Sequence, residues 1–436
     1  MAGLENLDLR LPAVTRRVAV IGAGWAGLAA AVTLAGKVDV TVFEAGRRPG
    51  GRARALDEGG LDNGQHILIG AYEACLELMR RVGASPETLL HRVPMQWLRA
   101  GGLEMRCPPW PAPLHLAAGL LAARGLSWRE KWHLLRTLDR LKRQQWRVPA
   151  SQTVMDWLQA TAQPSRLVAD FWQPLVLSAL NTPPALASMQ ILAHVLRDSL
   201  GADRAASDLL LPSANLSGLF PAPAWQWLAG QGASLRAGHR VRSLVPAKTG
   251  VTVDGECFDA AIVAVAPYHA RGLLPENLLP ALHSFDYQPI YTVYLHYPGP
   301  VPLPAPMCGV AGGVADWVFD RAALTGEPGL VAAVISAPAN DPLAEGREAL
   351  VARVADEVAR LAGRPLKPPA HSRIVVEKRA TFVARPGMSR PGPRLDVKWL
   401  YVAGDWTDTG YPATLEGAVR SGVAAAHACL QDGKPI

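Results

Sequence analysis

The chain has 436 residues, enough for about two domains with sizeable cores. Charged residues make up 19% and hydrophobic ones 49%, which marks a globular protein with much apolar surface to hide. Cys75, Cys107, Cys257, Cys308 and Cys429 form no C-x-x-C pair, and the scattered histidines form no ligand array. This reads as a set of reduced thiols in a cytosolic protein, with no metal expected.

Residues 1–15 read as a frayed leader. Val18–Gly36 then runs for nineteen residues without a charge, directly behind Arg16 and Arg17. That pattern imitates a twin-arginine signal or a membrane span. Its glycines favour a buried βαβ unit instead. A β-branched strand, Val18–Ile21, enters the turn Gly22-Ala23-Gly24-Trp25-Ala26-Gly27, and an alanine- and leucine-rich helix leaves it. This is G-x-G-x-x-G in its structural setting. The first glycine makes the turn, the second admits a pyrophosphate, and the third lets helix and strand pack closely. A second strand, Val38–Phe43, ends at Glu44 and Ala45, where a carboxylate is expected to hold the ribose hydroxyls of an adenine dinucleotide. Past it, Gly50-Gly51-Arg52 suits a loop wrapping back over the pyrophosphate. A Gly-rich turn follows, with Asp62, Gly64, Gln65 and His66 in D-N-G-Q-H.

Residues 76–224 read as largely helical, with Pro-rich breaks. Between Trp97 and Arg147 ten Lys or Arg face three acids, so the whole net charge of +7 is matched by this stretch. It also holds Trp97, Trp110, Trp128, Trp132 and Trp146. Ser127 and Glu130 make a capping box. Helical spacing behind it puts Trp128, Trp132, Leu135 and Leu138 on one face. Such a basic amphipathic helix suits peripheral contact with an anionic membrane, and equally a core-facing helix with a solvated side. No nucleic-acid motif accompanies the charge.

Residues 225–275 return to the dinucleotide domain through the strands around Val241 and Ala260–Val263. The next insertion, 276–394, alternates as strands at YTVYLHY, WVFD and LVAAVIS and carries a helix over 347–362. Finally, 395–432 gives a strand (WLYVA), Gly404-Asp405, a turn with Tyr411, and a helix opening at Thr414 and Leu415. Its dipole suits negative charge on a reduced flavin. The dinucleotide domain (15–75, 225–275, 395–432) is therefore expected to be interrupted by two insertions.

The fingerprint, Glu44, the G-G-R element, the middle strands and the G-D…E-G-A helix resemble the FAD-dependent amine oxidase and phytoene desaturase superfamily. The resemblance implies an α/β, Rossmann-like FAD-binding domain of the GR2/amine oxidase type with an inserted α+β substrate domain. It implies non-covalent FAD. Val241 would meet adenine through its backbone, Arg52 would line the pyrophosphate path, Asp405 the ribityl phosphate, and Thr414–Leu415 the flavin edge. For Asp405 a plain helix cap is the alternative. D-N-G-Q-H at 62–66, D-W-V-F-D-R at 316–321, E-K-R-A-T-F at 377–382 and A-G-D-W at 403–406 are similar to the hydroxysqualene dehydroxylases of bacterial hopanoid synthesis. Thr414 departs from the amine oxidase pattern, where an aromatic helps cage an amine.

That likeness implies reductive loss of an allylic hydroxyl from an apolar triterpenoid. His66 is the first candidate for the proton donor, against a role in fixing its own turn. Gln65 would orient the hydroxyl, Tyr411 and Asp62 are alternative donors, and Trp317 and Trp406 would wall the cavity. With no second dinucleotide fingerprint, electrons are expected from an external donor or reductase. Oxidative polyene desaturation is the rival reaction, and a non-catalytic prenyl-binding protein the rival class. The expected location is cytoplasmic, peripheral on the inner membrane face.

Overall fold

The computed structural model describes residues 16–56, 60–274, 282 and 285–433, so the expected leader lies outside it. Strand β1 (Arg17–Ile21) pairs in parallel with β2 (Asp39–Glu44), Val18 opposite Val40. Three further strands complete the sheet: β3 (Ser234–Ala237), β4 (Ala260–Val263) and β5 (Leu400–Val402). The order β5-β4-β1-β2-β3 puts the glycine turn at the centre, at the carboxyl ends of the strands. A crevice there is where open parallel sheets bind nucleotides.

Helix α1 (Trp25–Leu34) follows the turn, and all ten of its residues are buried. It is apolar all round because it is covered all round: the sheet lies on one side and α2 (Leu415–Asp432) on another. Small residues permit this. A Cβ on Gly422 of α2 would stand 2.0 Å from the Ala26 carbonyl oxygen, so the two helices touch backbone to backbone. The uncharged run of 18–36 is thus a strand and a buried ten-residue helix. Among the described residues, no helix is long and apolar enough to cross a membrane.

A second, seven-stranded sheet lies beside this unit. In spatial order its strands are His371–Phe382, Tyr287–His296, Leu330–Ser336, Trp317–Asp320, Met307–Val310, Gln96–Ala100 and Glu104–Arg106. All pairs are antiparallel except Met307–Val310 with Gln96–Ala100. Alternation sorts the two faces. Tyr291, Val293 and Leu295 pack under the helix Arg347–Ala362 through Leu350, Val354 and Val358. Tyr294, Trp317, Phe319 and Val334 join the larger core shared with the helices of 114–196 and the dinucleotide unit.

The 76–224 segment therefore holds more than helices. It supplies four strands, and two of them enter this sheet. Their polar residues conceal the signal: Gln96 and Arg99 are buried, and Arg99 donates to the Val310 and Asp316 carbonyls at 3.0 and 2.9 Å.

The basic helix, Trp128–Arg143, has its capping box, but its faces differ from the expected ones. Lys131, Leu134, Thr137 and Leu141 are buried, with Leu135 and Leu138 packed partly against the core. Trp128 and Trp132 stand in solvent. The inner stripe is 131, 134, 138, 141, which leaves the two tryptophans on the flank. Lys131 enters that stripe by laying down its methylene stem and donating from Nζ to the Leu121 carbonyl at 2.7 Å.

Candidate active site

Three glycines shape the entrance to α1. The Gly22 N–H donates to the Phe43 carbonyl at 2.7 Å, and a Cβ on Gly27 would stand 1.8 Å from the Gly22 oxygen. Only glycine permits that contact between helix and turn. Gly24 is the N-cap of α1 and has no side chain to satisfy the first N–H groups; nor does the first turn contain an acid. Those donors are left for an anion. The G-G-R loop folds back against the turn: Gly50 N–H donates to the Ala23 carbonyl at 2.8 Å, and a Cβ on Gly51 would come within 3.2 Å of Gly24. Trp25 pins the same loop, donating from Nε1 to the Ala53 carbonyl at 3.1 Å. The Ala26 carbonyl also takes part in the packing against Gly422 of α2.

Glu44 sits at the end of β2, its carboxylate accepting from the N–H groups of Ala23 at 2.7 Å and Gly46 at 2.6 Å, on either side of Ala45. His239 N–H donates to the Glu44 carbonyl, so the extended stretch through Val241 runs beside this corner. Among the described residues the Val241 backbone has no intrachain hydrogen-bond partner.

At the other end, Gly404 must be glycine, because a Cβ there would lie 2.2 Å from Trp406 Nε1. Its N–H donates to Ser421 of α2 at 2.8 Å. Thr414 caps α2, accepting from Gly417 N–H at 3.0 Å, with Leu415 as the first helical residue. Asp405 is not a helix cap. Arg52 clasps its carboxylate through two contacts of 2.7 Å and also donates to the Ala380 carbonyl at 2.8 Å. Burial opposes the charge on Arg52, but Asp405 more than offsets it and the guanidinium is held charged.

The Asp62–His66 turn is bound to the other sequence motifs. Asn63 donates to the Arg52 carbonyl at 2.9 Å and to Glu377 at 3.0 Å. Arg321, itself fully buried, donates to Gln65 Oε1 at 3.2 Å and lies 3.8 Å from Asp62. All four motifs of the second resemblance therefore meet around one turn. In the sequence Arg321 and Asn63 have a place in motifs but no role, because no local spacing encodes contacts between residues so far apart.

This arrangement separates the candidate donors. Gln65 accepts from Arg321 at Oε1 and donates from Nε2 to the His66 carbonyl, which fixes the orientation of its amide. Asp62 is 1% exposed and accepts from Leu216 N–H at 2.8 Å. Burial pushes its carboxyl up to about 6, and Arg321 only partly opposes this. Tyr411 gives its O–H to Asp198, and its ring carries Arg420 at 4.3 Å. Trp317 and Trp406 belong to the core, their N–H groups satisfied by Ser178 and the Val265 carbonyl.

His66 remains. It is half-buried, and its Nδ1 lies 2.9 Å from the Gly64 carbonyl. A carbonyl only accepts, so Nδ1 carries hydrogen and Nε2 is the titrating atom. Burial and the nearby Arg52 push the imidazole below its ordinary value despite that hydrogen bond. Tyr287 was missed by the sequence reading. Its hydroxyl is buried without a partner, and burial pushes it up to about 12 in the field of Arg52 and Asp405. An orphaned phenol beside that pair is what a missing polar ligand leaves behind.

The flavin-containing amine oxidoreductase profile matches residues 25–430. The chain belongs to that family. Within it, the chain belongs with the hydroxysqualene dehydroxylases: it is 34% identical to the one from Rhodopseudomonas palustris, over 97% of this chain and all of that one. It is 30% identical to that of Sinorhizobium fredii over 96% and 99% of the two chains. A solved putrescine oxidase shares the fold, with a TM-score of 0.70 at 18% identity over 95% of this chain and 99% of that one. The chain is an FAD-dependent oxidoreductase of α/β fold. The glycine turn, Glu44, the free donors of α1 and the Tyr287 hydroxyl fit an FAD; of the five cysteines, four are buried and Cys257 is exposed on a hairpin.

Proposed function

We propose that the chain reduces hydroxysqualene to squalene in bacterial hopanoid synthesis. Identity with a hydroxysqualene dehydroxylase at 34% over 97% of the chain is the observation that carries this reading. Thr414 supports it against amine oxidation, since a helix-capping threonine supplies no aromatic wall.

In the overall reaction the allylic C–O bond breaks, a proton converts the hydroxyl to water, and a hydride forms the new C–H bond. Reduced FAD supplies that hydride when bound, and an external reductant restores it. The chain's own residues manage the proton. With Nδ1 fixed on the Gly64 carbonyl, His66 takes up and releases its second proton at Nε2. Its lowered pKa makes the imidazolium a readier donor but a scarcer one at neutral pH, so the step slows as pH rises. Arg321 and Asn63 hold the turn that carries His66.

The test is the direction of electron flow. Under anaerobic conditions, enzyme with chemically reduced FAD should convert hydroxysqualene to squalene and reoxidise one flavin per product. Oxidised enzyme given squalene or phytoene should introduce no double bond. His66→Ala should retain FAD and slow turnover by about two to four orders of magnitude. Desaturated product from the oxidised enzyme, with the alcohol untouched, overturns the assignment in favour of a desaturase. A colourless protein that takes up no FAD points to a binding protein instead.

A further inference from the structure

Six large apolar side chains are notably exposed among the described residues, and five of them lie between residues 110 and 132. Trp128 and Trp132 are 69% and 67% exposed, one helical turn apart. Leu114 and Leu121 stand on the preceding helix, Leu114–Ala122, and Trp110 on the loop before it. Lys131 joins the two helices, bonded to the Leu121 carbonyl and lying 4.9 Å from the Trp128 ring. Among the described residues, neither Trp128 nor Trp132 donates its N–H to another part of the chain. Bare indoles with a free donor combine an apolar body with a wet edge.

Charge surrounds them. Residues 110–143 hold seven Lys or Arg against two acids. Glu130 is consumed by the capping box and Asp139 pairs with Arg143 at 2.8 Å. Arg124, Arg129, Arg136 and Arg140 remain exposed around the apolar patch. A second copy of the chain docking two-fold on this surface would bring those arginines against their own kind. An anionic surface would not.

We propose that this patch docks the protein on an anionic lipid bilayer. Trp110, Leu114, Leu121, Trp128 and Trp132 enter the boundary between headgroups and acyl chains, and the surrounding arginines meet lipid phosphates. The attachment is made by two short helices and a loop, each contributing side chains rather than a span. The inner faces of both helices belong to the large core that reaches the dinucleotide unit, so docking fixes the enzyme's orientation on the membrane.

Vesicle partition of the FAD-loaded protein tests this without reference to turnover, so it stands or falls apart from the proposed reaction. Vesicles of phosphatidylcholine with phosphatidylglycerol should bind, phosphatidylcholine alone should bind weakly, and added salt should release the protein. Neutralising Arg129, Arg136 and Arg140 to Gln should lower partition by about fivefold per charge. Trp128→Ser with Trp132→Ser should remove the binding that persists in salt, while the FAD absorbance is unchanged. Brominated lipid should quench tryptophan emission in the parent and less in that variant. Partition indifferent to lipid charge, or equal in parent and tryptophan variant, overturns the proposal. Self-association in lipid-free solution that the tryptophan variant abolishes assigns the patch to a second copy and overturns it equally.

Discussion

Asp62 offers a quantitative test of how the turn carrying His66 is held. Its carboxyl is buried, bonded to the Leu216 N–H and 3.8 Å from Arg321. Burial is the largest influence and raises it from 3.8 to about 6, because the partial compensation from Leu216 and Arg321 is smaller. A gap of about two units between unfolded and folded chains corresponds to roughly 3 kcal/mol at 1.36 kcal/mol per unit. The folded value lies above the unfolded one. Stability from this group is therefore full below about pH 4 and is lost as pH rises through 6. By the linkage relation about half of the loss has occurred by pH 5, leaving ~1.4 kcal/mol between pH 5 and pH 8. Asp62→Asn keeps an oxygen for Leu216 N–H and removes the titration. The variant should therefore gain on the parent by about 1–1.5 kcal/mol when urea unfolding at pH 5 is compared with pH 8. Tryptophan fluorescence at saturating FAD reports both transitions. A stability difference between the two proteins that is the same at both pH values refutes the reasoning. A drift in the opposite direction would mean that Arg321, not burial, governs the carboxyl.

Two further outcomes concern the cofactor. Gly27→Ala drives a methyl into the Gly22 oxygen at 1.8 Å, so helix and turn must separate; the protein should purify colourless, and a full complement of FAD by absorbance would contradict the packing. Glu44→Ala removes the partner of two backbone N–H groups and, if the carboxylate holds the ribose as proposed, that acceptor too, so FAD affinity by fluorescence titration should fall by about 1–3 kcal/mol. Because Ala23 N–H loses its partner as well, the variant without FAD should unfold at lower urea than the parent.

The cofactor half of the molecule could be read from the chain because backbone geometry dictates its residues one by one. The turn holds Gly22 at a positive φ and Gly27 packs on the Gly22 oxygen, reasons that lie within a few residues, and Glu44 closes the βαβ unit that β1 begins. Asp405 was read as part of the cofactor site, but its clasp by Arg52 joins distant parts of the chain and leaves no periodic trace. The same holds for Arg321. It ends the D-W-V-F-D-R motif, and only the fold brings it to Asp62 and Gln65. For Trp317 and Trp406 the sequence left a cavity wall and a core position open, and both are buried with their N–H groups bonded to Ser178 and the Val265 carbonyl. The 128–143 helix was recognised by its cap, while its rotation was misjudged because a lysine took a buried position.

The parallel pairing of Gln96–Ala100 with Met307–Val310 has a consequence for biosynthesis. Arg99 leaves the ribosome long before Gly309, its partner across the ladder, and β4 must likewise wait for β5. Until then the nascent chain carries strand edges rich in Val, Ile and Ala with nothing beside them, the kind of edge that recruits other chains. Distant pairings also slow the search for the native arrangement. Production of this protein should therefore respond to translation speed and to chaperone supply, and a chain ending before residue 400 should be found in aggregates rather than as a stable fragment.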